Sequence, residues 1–407
     1  MNRIFDLAKK YEPELVEFMR NLVKTKSLSG EERDVVELIG NEMEKVGFDK
    51  VFTDDLGNII GVVGDGRTRI AMDAHIDTVD VGNPDLWERD PFSGDYDGEW
   101  VYGRGASDQK AGMASMVYGV KVLKEMDLLD DFTLYVVGSI MEEDCDGLCW
   151  QFIINEGVIK PDYVLITEPT NLGIYRGHRG RIEFRIRTKG LSAHASAPER
   201  GENAIYKMAK IINEIERLNE ELESTSFLGK GTVAVTQIFF KSPSQNAVPD
   251  ECTIHIDRRL TEGEDKEKAF NEMRRIFEKV GVDAEILELE YDKPSYKNKI
   301  YKVKKYFPTW LMEEDHILVR SAVENYVELF GEKPRMGKWD FSTNGVATAG
   351  IFKIPTVGFG PGDEKFAHAP NEKVRVSDLI KASAFYANFP RTLVRSLRNC
   401  GGEKNGG

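Results

Sequence analysis

Apolar residues in the first 180 positions alternate between helical spacing and short continuous runs. The helical spacing, with apolar residues three and four apart, predicts helices at 3–24, 31–46 and 112–124. The apolar runs are rich in Val, Ile and Leu and predict strands at 59–63, 69–74, 133–140 and 163–167. Helices that alternate with strands in this way are typical of a layered α/β sheet.

The pattern changes at residue 181. Residues 181–296 predict the order strand, helix, strand, strand, helix, strand, with elements at 181–188, 203–224, 232–240, 253–258, 266–280 and 284–289. This is the split βαβ order of a ferredoxin-like module. The first pattern then returns, with elements at 314–330, 341–349, 356–360 and 376–398.

We therefore expect a catalytic domain in two segments, 1–180 and 297–398, interrupted by an inserted domain at 181–296. The Gly-rich tail at 399–407 is predicted to be disordered. A chain of 407 residues is long enough to bury a substantial core in this arrangement.

Composition removes several classes of function. The net charge of −14 argues against a protein that binds phosphates, and so against nucleic acid as a partner. No segment approaches the ~20 apolar residues of a membrane span, and the first residues lack a signal-peptide core, so we expect a cytoplasmic protein with no membrane partner. Four scattered cysteines are too few to form a disulfide framework, and we expect reduced thiols.

Ionisable side chains follow three of the predicted strands. His75, Glu142, Glu143 and Glu168 all stand at or just beyond a strand's carboxyl end, where open α/β sheets bind their ligands. Asp77 stands two residues after His75, where a carboxylate can hold the second ring nitrogen of a metal-bound imidazole. Taken alone, each motif has an ordinary structural interpretation, such as a satisfied histidine or a solvated acidic turn.

Two further segments carry candidate ligands. Asp108 ends the glycine-rich stretch of VYGRGASDQKAGMAS and could bridge two cations, although for this motif alone an N-cap or an anion-binding loop is the favoured interpretation. His368 lies in GPGDEKFAHAPNE, which could also be an ordinary surface loop. Together, two imidazoles and three carboxylates suit a pair of zinc or similar ions, and the candidate ligands are His75, Asp108, Glu143, Glu168 and His368.

The order AHIDTV, GRGASDQKAG, MEED, ITEP, GLSAHAS and AHAPNE resembles the dizinc hydrolase family of acetylornithine deacetylase, succinyl-diaminopimelate desuccinylase, glutamate carboxypeptidase and aminoacylase. The resemblance spans nearly the whole chain. It implies a mixed-sheet, zinc-peptidase-like α/β domain with an inserted ferredoxin-like lid. It also implies two divalent metal ions, with zinc favoured and Co²⁺ or Mn²⁺ compatible.

The resemblance implies a role for each ligand. Asp108 would bridge the metals, His75 and Glu168 would hold one, and Glu143 and His368 the other. Asp77 would orient His75.

Catalytic and substrate-binding roles follow from the same resemblance. Glu142 would be the general base, and His194 would stabilise the oxyanion, in dimeric members from the neighbouring subunit. Arg259 would bind a substrate carboxylate, with Arg258 a possible alternative, and Asn246 and the loop DFSTNG at 340–345 would contact substrate.

The partners expected are a small substrate with a carboxylate and a second copy of the chain, bound through the lid. His178, His255 and His316 match no catalytic position, and we interpret them as structural or surface residues.

These features favour hydrolysis of an amide bond in an N-acyl or N-carbamoyl amino acid, or in a small peptide with a free carboxylate. An aminopeptidase acting on unblocked peptides is the second hypothesis. A metal or ligand binder without catalysis is the third, although an intact base argues against it. The motifs MEEDCDG and RGHRGRIEF also resemble a branch associated with selenium metabolism, which implies no particular substrate.

Overall fold

The computed structural model describes residues 3–402. Its helices are α1 Arg3–Lys10, α2 Glu12–Lys24, α3 Arg33–Val46, α4 Ala111–Glu125, α5 Leu148–Asn155, α6 Ala204–Glu221, α7 Lys266–Val280, α8 Ile317–Phe330 and α9 Val376–Gly402. Its first ten strands are β1 Lys50–Thr53, β2 Ile59–Val63, β3 Thr68–His75, β4 Trp100–Tyr102, β5 Phe132–Ser139, β6 Tyr163–Ile166, β7 Ile174–His178, β8 Gly180–Lys189, β9 Ser224–Thr225 and β10 Gly229–Lys230. The remaining strands are β11 Thr232–Lys241, β12 Glu251–Leu260, β13 Ala284–Glu288, β14 Glu290–Tyr291, β15 Val303–Lys304, β16 Tyr306–Phe307, β17 Trp310–Leu311, β18 Met336–Trp339, β19 Thr356–Gly358 and β20 Lys373–Arg375.

A nine-stranded mixed sheet forms the larger unit, in the order β1-β2-β5-β3-β6-β19-β7-β17, with β18 also paired to β7. Its centre is parallel, because β3 pairs in parallel with both β5 and β6, and β6 with β19. Both faces are buried. One core lies under the helices that include α2, α3, α4, α8 and α9, and a second core on the other face contains Trp150, Trp310 and Trp339.

A five-stranded antiparallel sheet forms the smaller unit, which we call the lid. Its order is β11-β12-β8-β13, with β16 also paired to β8. Along β8 and β12, buried side chains alternate with partly exposed ones, as expected when helices cover one face of a sheet. The helices α6 and α7 supply that cover. The predicted fold class, a mixed-sheet α/β unit with an inserted ferredoxin-like lid, is confirmed.

Two segments differ from the sequence-based expectation. The helix predicted at 3–24 is two helices separated at Tyr11, because Pro13 in the first turn of α2 cannot donate a backbone hydrogen bond to the preceding turn. The helix α9 continues to Gly402, past residue 399 where the tail was predicted to begin, and residues 403–407 lie outside the described part. No helix in residues 3–402 has the length and apolar character needed to cross a bilayer.

Candidate metal centre

Three neighbouring parallel strands bring the first candidate ligands to one edge of the larger sheet. His75 is the last residue of β3, opposite Ser139 at the end of β5. Glu142 and Glu143 follow β5 by three and four residues, and Glu168 follows β6 by two. Since parallel strands end at the same edge, His75 becomes a neighbour of Glu142 and Glu168, which follow it by 67 and 93 positions in the sequence.

Asp108 reaches this edge on the glycine-rich loop before α4. Gly105 has a φ of +81°, and a Cβ there would lie 2.7 Å from Cγ2 of Thr78, so only glycine fits this turn. The buried carboxylate of Glu372 accepts the backbone N–H groups of Gly105, Ser107 and Asp108 at 3.0, 2.7 and 2.9 Å. The peptide bond that follows Asp108 is cis. The carboxylate of Glu372 therefore fixes the backbone of this loop through three hydrogen bonds.

The two oxygens of the Asp108 carboxylate face two different imidazoles. Oδ1 lies 3.0 Å from Nε2 of His75, and Oδ2 lies 3.5 Å from Nε2 of His368. Nε2 of His75 is also 3.7 Å from Oε1 of Glu168, and Nε2 of His368 is 2.9 Å from Oε2 of Glu143. Ligand atoms around a tetrahedral zinc ion are about 3.3–3.6 Å apart. The separations of 3.5 and 3.7 Å are close to that spacing, whereas those of 3.0 and 2.9 Å are shorter, so a cation on each side of Asp108 would widen the two closer pairs.

The donor atoms form two groups of three, each compact enough to hold a metal ion. His75, Asp108 and Glu143 offer one atom each within 4.8 Å of one another, and so do His75, Glu142 and Glu168. The side-chain oxygens Oε1 of Glu142 and Oε2 of Glu168 are buried with no hydrogen-bond partner. Orphaned buried oxygens are costly unless something positive compensates them, and a divalent cation would do so.

Electrostatics at the centre agree with that interpretation. Burial raises the pKa of Glu142 well above its usual range, and although His75 lowers it, nearby carboxylates raise it again. Burial likewise raises the pKa of Glu168, which His75 lowers and Asp108 raises. Burial opposes protonation of His75, but the surrounding carboxylates outweigh burial and raise its pKa. The residues therefore form a site with an excess of negative charge, which suits a pair of dications.

Asp77 contacts His75 in a different way from the one expected. Nδ1 of His75 is hydrogen-bonded to the backbone carbonyl of Asp77 at 2.9 Å, while the nearer carboxylate oxygen lies 3.6 Å away. A carbonyl only accepts, so Nδ1 donates this hydrogen bond, and Nε2 is the ring nitrogen that faces the site. The Asp77 carboxylate instead accepts the backbone N–H groups of Glu142 and Glu143, both at 3.1 Å, and the hydroxyl of Ser29 at 2.6 Å.

A cavity of about 320 Å³ opens onto the candidate centre. Its wall includes all five candidate ligands and Glu142, and on the lid side Arg181 and Arg259. Phe341 and Ser342, from the loop predicted to contact substrate, complete one side. The volume is suited to a small substrate, since ligand pockets range from about 300 to 1,000 Å³.

Residues 71–392 match Peptidase family M20/M25/M40. The chain belongs to this family. It is a metal-dependent hydrolase, in agreement with the resemblance drawn from the motifs, and it carries a plausible metal-binding site in the cluster described above.

Relatives of known name span nearly the whole chain. The protein YgeY of Escherichia coli strain K12 is 50% identical over 387 residues, which cover 95% of this chain and 96% of that protein. The succinyl-diaminopimelate desuccinylase of Rickettsia bellii strain RML369-C is 26% identical, with 91% and 95% covered. The YXEP protein of Bacillus subtilis, a dinuclear metal-binding peptidase of this family, shares the fold with a TM-score of 0.69 at 18% identity, with 95% and 98% covered.

Arg258 and Arg259 were both candidates to bind the substrate carboxylate, and their positions on the strand distinguish them. Arg258 and Arg259 are consecutive on β12, so their side chains point to opposite faces of the lid sheet. Arg258 points toward the covering helices, where it is fully buried and pairs with Glu264 at 2.9 Å and Glu272 at 3.2 Å. Arg259 points into the cavity and pairs with Asp257 at 2.8 Å. Of these two arginines, Arg259 is the one that a ligand in the cavity can reach.

Two predicted site residues lie elsewhere. His194 and Asn246 are exposed on adjoining lid loops, where the backbone N–H of Ala195 donates to the carbonyl of Asn246 at 2.8 Å, and neither lines the cavity. The histidines interpreted as structural have structural contacts. His178 is buried and bonded to Thr343, and Nδ1 of His316 accepts the backbone N–H of Leu318 at the start of α8.

Sequence reasoning did not single out several residues around the centre. Glu372 ends the quoted motif AHAPNE, but nothing in the pattern indicated that it would hold the Asp108 loop. Arg181 and Glu364 line the cavity, and although they stand in the quoted segments RGHRGRIEF and GPGDEKFAHAPNE, neither was given a role. For Arg181 a signal existed, because antiparallel pairing sets it opposite Arg259 on the same face of the lid.

Proposed function

We propose that this chain hydrolyses an amide bond near a free carboxylate, in an N-acyl or N-carbamoyl amino acid or a small peptide, with two bound divalent cations. The observation that carries the proposal is the Asp108 carboxylate between His75 and His368, with the unpartnered oxygen of Glu142 beside it. The mixed nitrogen and oxygen donor set favours zinc, and Co²⁺ or Mn²⁺ would also fit.

The proposed ligands divide into two groups that share Asp108. His75 and Glu168 would hold one cation, and Glu143 and His368 the other, as the contact distances support. A pair of such cations lowers the pKa of bound water toward neutrality and polarises a carbonyl oxygen. The remaining chemistry belongs to the protein's own side chains.

Glu142 is the proposed general base and acid. Its carboxylate accepts a proton from the attacking water as the new C–O bond forms, and then gives that proton to the amide nitrogen as the C–N bond breaks. The Asp77 carboxylate fixes the backbone of Glu142 and so holds this side chain toward the cavity. Arg259 offers a guanidinium to the substrate's carboxylate across the cavity, which orients the amide.

We also propose that the lid, assigned to residues 181–296, forms a homodimer. The edge strand β11 pairs only with β12 among residues 3–402, and it exposes Ile238, Phe239 and Phe240 by 55%, 45% and 63%. An exposed apolar edge strand is a surface that proteins usually cover. Exposure of His194 and Asn246 away from the cavity of their own chain supports a role at the site of a neighbouring copy.

A cytoplasmic location is the last part of the proposal. None of the four cysteines is paired, and Cys145, Cys149 and Cys252 are buried thiols, which supports a reducing compartment.

The experiment that tests the function is an activity screen of the protein reconstituted separately with Zn²⁺, Co²⁺ and Mn²⁺. Substrates would be N-acetyl, N-succinyl and N-carbamoyl amino acids and dipeptides, each with a free or an amidated carboxylate. We expect turnover of a free-carboxylate amide, and loss of about 10²–10⁴-fold in kcat in Glu142→Gln with both metals retained.

Other results of the screen would redirect the proposal. Release of amino acids from unblocked peptides alone would assign an aminopeptidase instead. Metal binding with no turnover of any amide would indicate a silent binder. Equal turnover of amidated substrates would remove Arg259 from carboxylate recognition.

A further inference from the structure

The charged groups of the cavity outside the candidate centre are unequally paired. Asp146 accepts a hydrogen bond from Arg181 at 3.2 Å, and Arg259 is paired with Asp257 at 2.8 Å. Glu364 lines the same cavity but forms no ion pair with any Lys, Arg or His in residues 3–402. Within residues 3–402, Glu364 is therefore the one carboxylate of the wall, apart from the metal cluster and Glu142, that forms no ion pair.

The Glu364 carboxylate is nevertheless held in position. The hydroxyl of Tyr175 donates to its Oε1 at 2.6 Å, and that hydroxyl accepts in turn from Nη2 of Arg335 at 2.9 Å. Because the guanidinium can only donate, the Tyr175 proton must point at Glu364. The tyrosine ring is buried, so Oε1 of Glu364 is held in one place, and the backbone of Asp340 also hydrogen-bonds to this carboxylate. A carboxylate has about four lone-pair sites, so lone pairs remain for a ligand.

Burial of a carboxylate that has no counterion costs free energy, because the charge loses its hydration. Loss of solvent raises the pKa of Glu364, and the carboxylate of Asp340 raises it further. The hydrogen bond from Tyr175 and the charge of Arg335 lower it without cancelling the effect of burial. A cationic ligand group would compensate the lost hydration with a charge-assisted hydrogen bond. A neutral apolar group in the same place would leave the carboxylate oxygen without a partner.

We propose that Glu364 binds a cationic group of the substrate, so that the preferred substrate is a zwitterionic amide with its carboxylate toward Arg259 and an ammonium group toward Glu364. The inference rests on the proposed function and names the substrate class of that same site. Glu364 is a specificity residue in this scheme and takes no part in bond cleavage.

The test is a ladder of matched substrates that differ only in one amine. Nα-acyl derivatives of 2,3-diaminopropionate, 2,4-diaminobutyrate, ornithine and lysine are compared with those of alanine, 2-aminobutyrate, norvaline and norleucine, with the acyl group that the screen selects. The ladder varies the distance from the amine to the scissile amide. We expect one spacing at which the amine raises kcat/KM by about 10- to 100-fold, the range of a hydrogen bond to a charged group.

Variants then locate the preference. Glu364→Gln should reduce the amine-to-neutral ratio of kcat/KM at that spacing to near unity, and Tyr175→Phe, which removes the fixing hydroxyl, should reduce it partly. Asp340→Asn is the matched control, because its 80% exposed carboxylate removes a nearby negative charge without lining the cavity. The control should keep the ratio of the wild type.

Three results would overturn the inference: a ratio near unity at every spacing in the wild type, a ratio that survives Glu364→Gln, or equal loss in Asp340→Asn. A further result would be that a substrate whose side chain ends in a neutral amide is preferred over the apolar one as strongly as the amine is. That result would make Glu364 an acceptor for neutral donors and would also overturn the inference. If no ladder member is hydrolysed, the proposed function fails. Calorimetric titration of the free diamino acids and their neutral counterparts into the zinc-loaded Glu142→Gln protein, with and without Glu364→Gln, then decides whether Glu364 binds the amine.

Discussion

The carboxylate of Asp77 accepts the backbone N–H of Glu142 at 3.1 Å and that of Glu143 at the same distance. One side chain therefore fixes the backbone of both the proposed base and a proposed ligand. Nδ1 of His75 donates the hydrogen bond that orients its ring to the backbone carbonyl of Asp77, and a side-chain substitution leaves that carbonyl in place. The side chain and the backbone of Asp77 thus serve different residues.

This division predicts the phenotype of Asp77→Ala. Because His75 keeps its acceptor, we expect metal content to change little, whereas kcat falls by about 10- to 100-fold as the backbone of Glu142 loses its anchor. Metal content by plasma emission spectroscopy and steady-state kinetics measure the two effects. Ser29→Ala, which removes only the hydroxyl that donates to Asp77, should have a smaller effect on kcat. Loss of metal with unchanged kcat per bound metal would contradict the division.

Glu372 provides a second prediction, because it holds the bridging ligand by its backbone. Its carboxylate accepts the N–H of Asp108 and pairs with Arg104 at 2.7 Å, and Arg104 also donates to the backbone carbonyl of His368 at 3.4 Å. Glu372 therefore joins the loops of two proposed ligands. We expect Glu372→Gln to weaken metal affinity by about 10- to 100-fold, as for other residues that support ligands.

The readout for Glu372 is competition with a chromophoric chelator, which needs no turnover. Glu364→Gln is a suitable control, since it alters a carboxylate nearby in the same segment that contacts no proposed ligand. If Glu372→Gln binds metal as tightly as the wild type, the hydrogen bonds from the loop to the Glu372 carboxylate are not needed to position Asp108.

Arg258 and Arg259 should separate stability from substrate binding. Arg258→Ala leaves Glu264 buried without its main cation and should lower the free energy of unfolding by about 3–5 kcal/mol. Arg259 is partly exposed and its pair with Asp257 is a surface pair, so Arg259→Ala should cost less than about 1 kcal/mol while raising KM for carboxylate substrates. Denaturant unfolding and steady-state kinetics check both. A large KM effect in Arg258→Ala at unchanged stability would reverse the assignment.

Much of the larger unit could be predicted because its strands are buried on both faces and appear as continuous apolar runs. The strand β2 was predicted to the residue, and β3 within one residue at each end. Strand β7 was missed, since IYRGH carries two polar side chains, Arg176 and His178, that only the tertiary fold buries. The short β1 and β18, of four residues each, gave too little pattern to detect.

The candidate ligands could be predicted for a related reason. Strand ends of a parallel sheet lie at one edge, so residues that follow apolar runs can be predicted to be neighbours even when the loop conformations are unknown. The residues that hold those ligands could not be found in this way. Glu372 acts on Asp108 across 264 positions through backbone N–H groups, and such contacts leave no periodic signal. Arg258 and Arg259 needed the covered face of the lid to be known.

His178 predicts a pH dependence of stability. Burial lowers the pKa of His178 to about 4 from an ordinary value of 6.5, although the hydrogen bond from Nδ1 to the carbonyl of Arg179 raises it. Nε2 accepts the backbone N–H of Thr343, which requires a neutral ring. Below pH 6.5 the unfolded chain takes up a proton that the folded protein does not. The contribution is thus complete above pH 6.5 and is lost as pH falls toward 4, by about 3 kcal/mol in all.

The comparison that isolates His178 is the pH profile of Tm in the wild type and in His178→Asn, which does not titrate in this range. We expect the variant to be less stable at pH 7 and to lose less of its stability between pH 6.5 and 4.5. Parallel profiles would mean that the imidazole is protonated in the folded protein.

The exposed apolar edge of β11 predicts that two copies of the chain associate through the lid. Replacing Phe239 and Phe240 by Lys places charge on the edge strand and should shift the protein from dimer to monomer in sedimentation or light scattering, with little change in Tm, because these side chains are exposed in the single chain. If His194 serves the neighbouring site, the monomer should also lose activity while keeping its metals.

A mixing experiment distinguishes loss of the partner's histidine from a general effect of dissociation. His194→Ala and Glu142→Gln homodimers should each be nearly inactive, but co-refolded mixtures should regain up to about a quarter of wild-type activity. That value is the statistical share of sites that combine an intact Glu142 in one chain with an intact His194 from the other, since half of the dimers are mixed and each has one such site. A mixture no more active than its components would place His194 outside the neighbouring site.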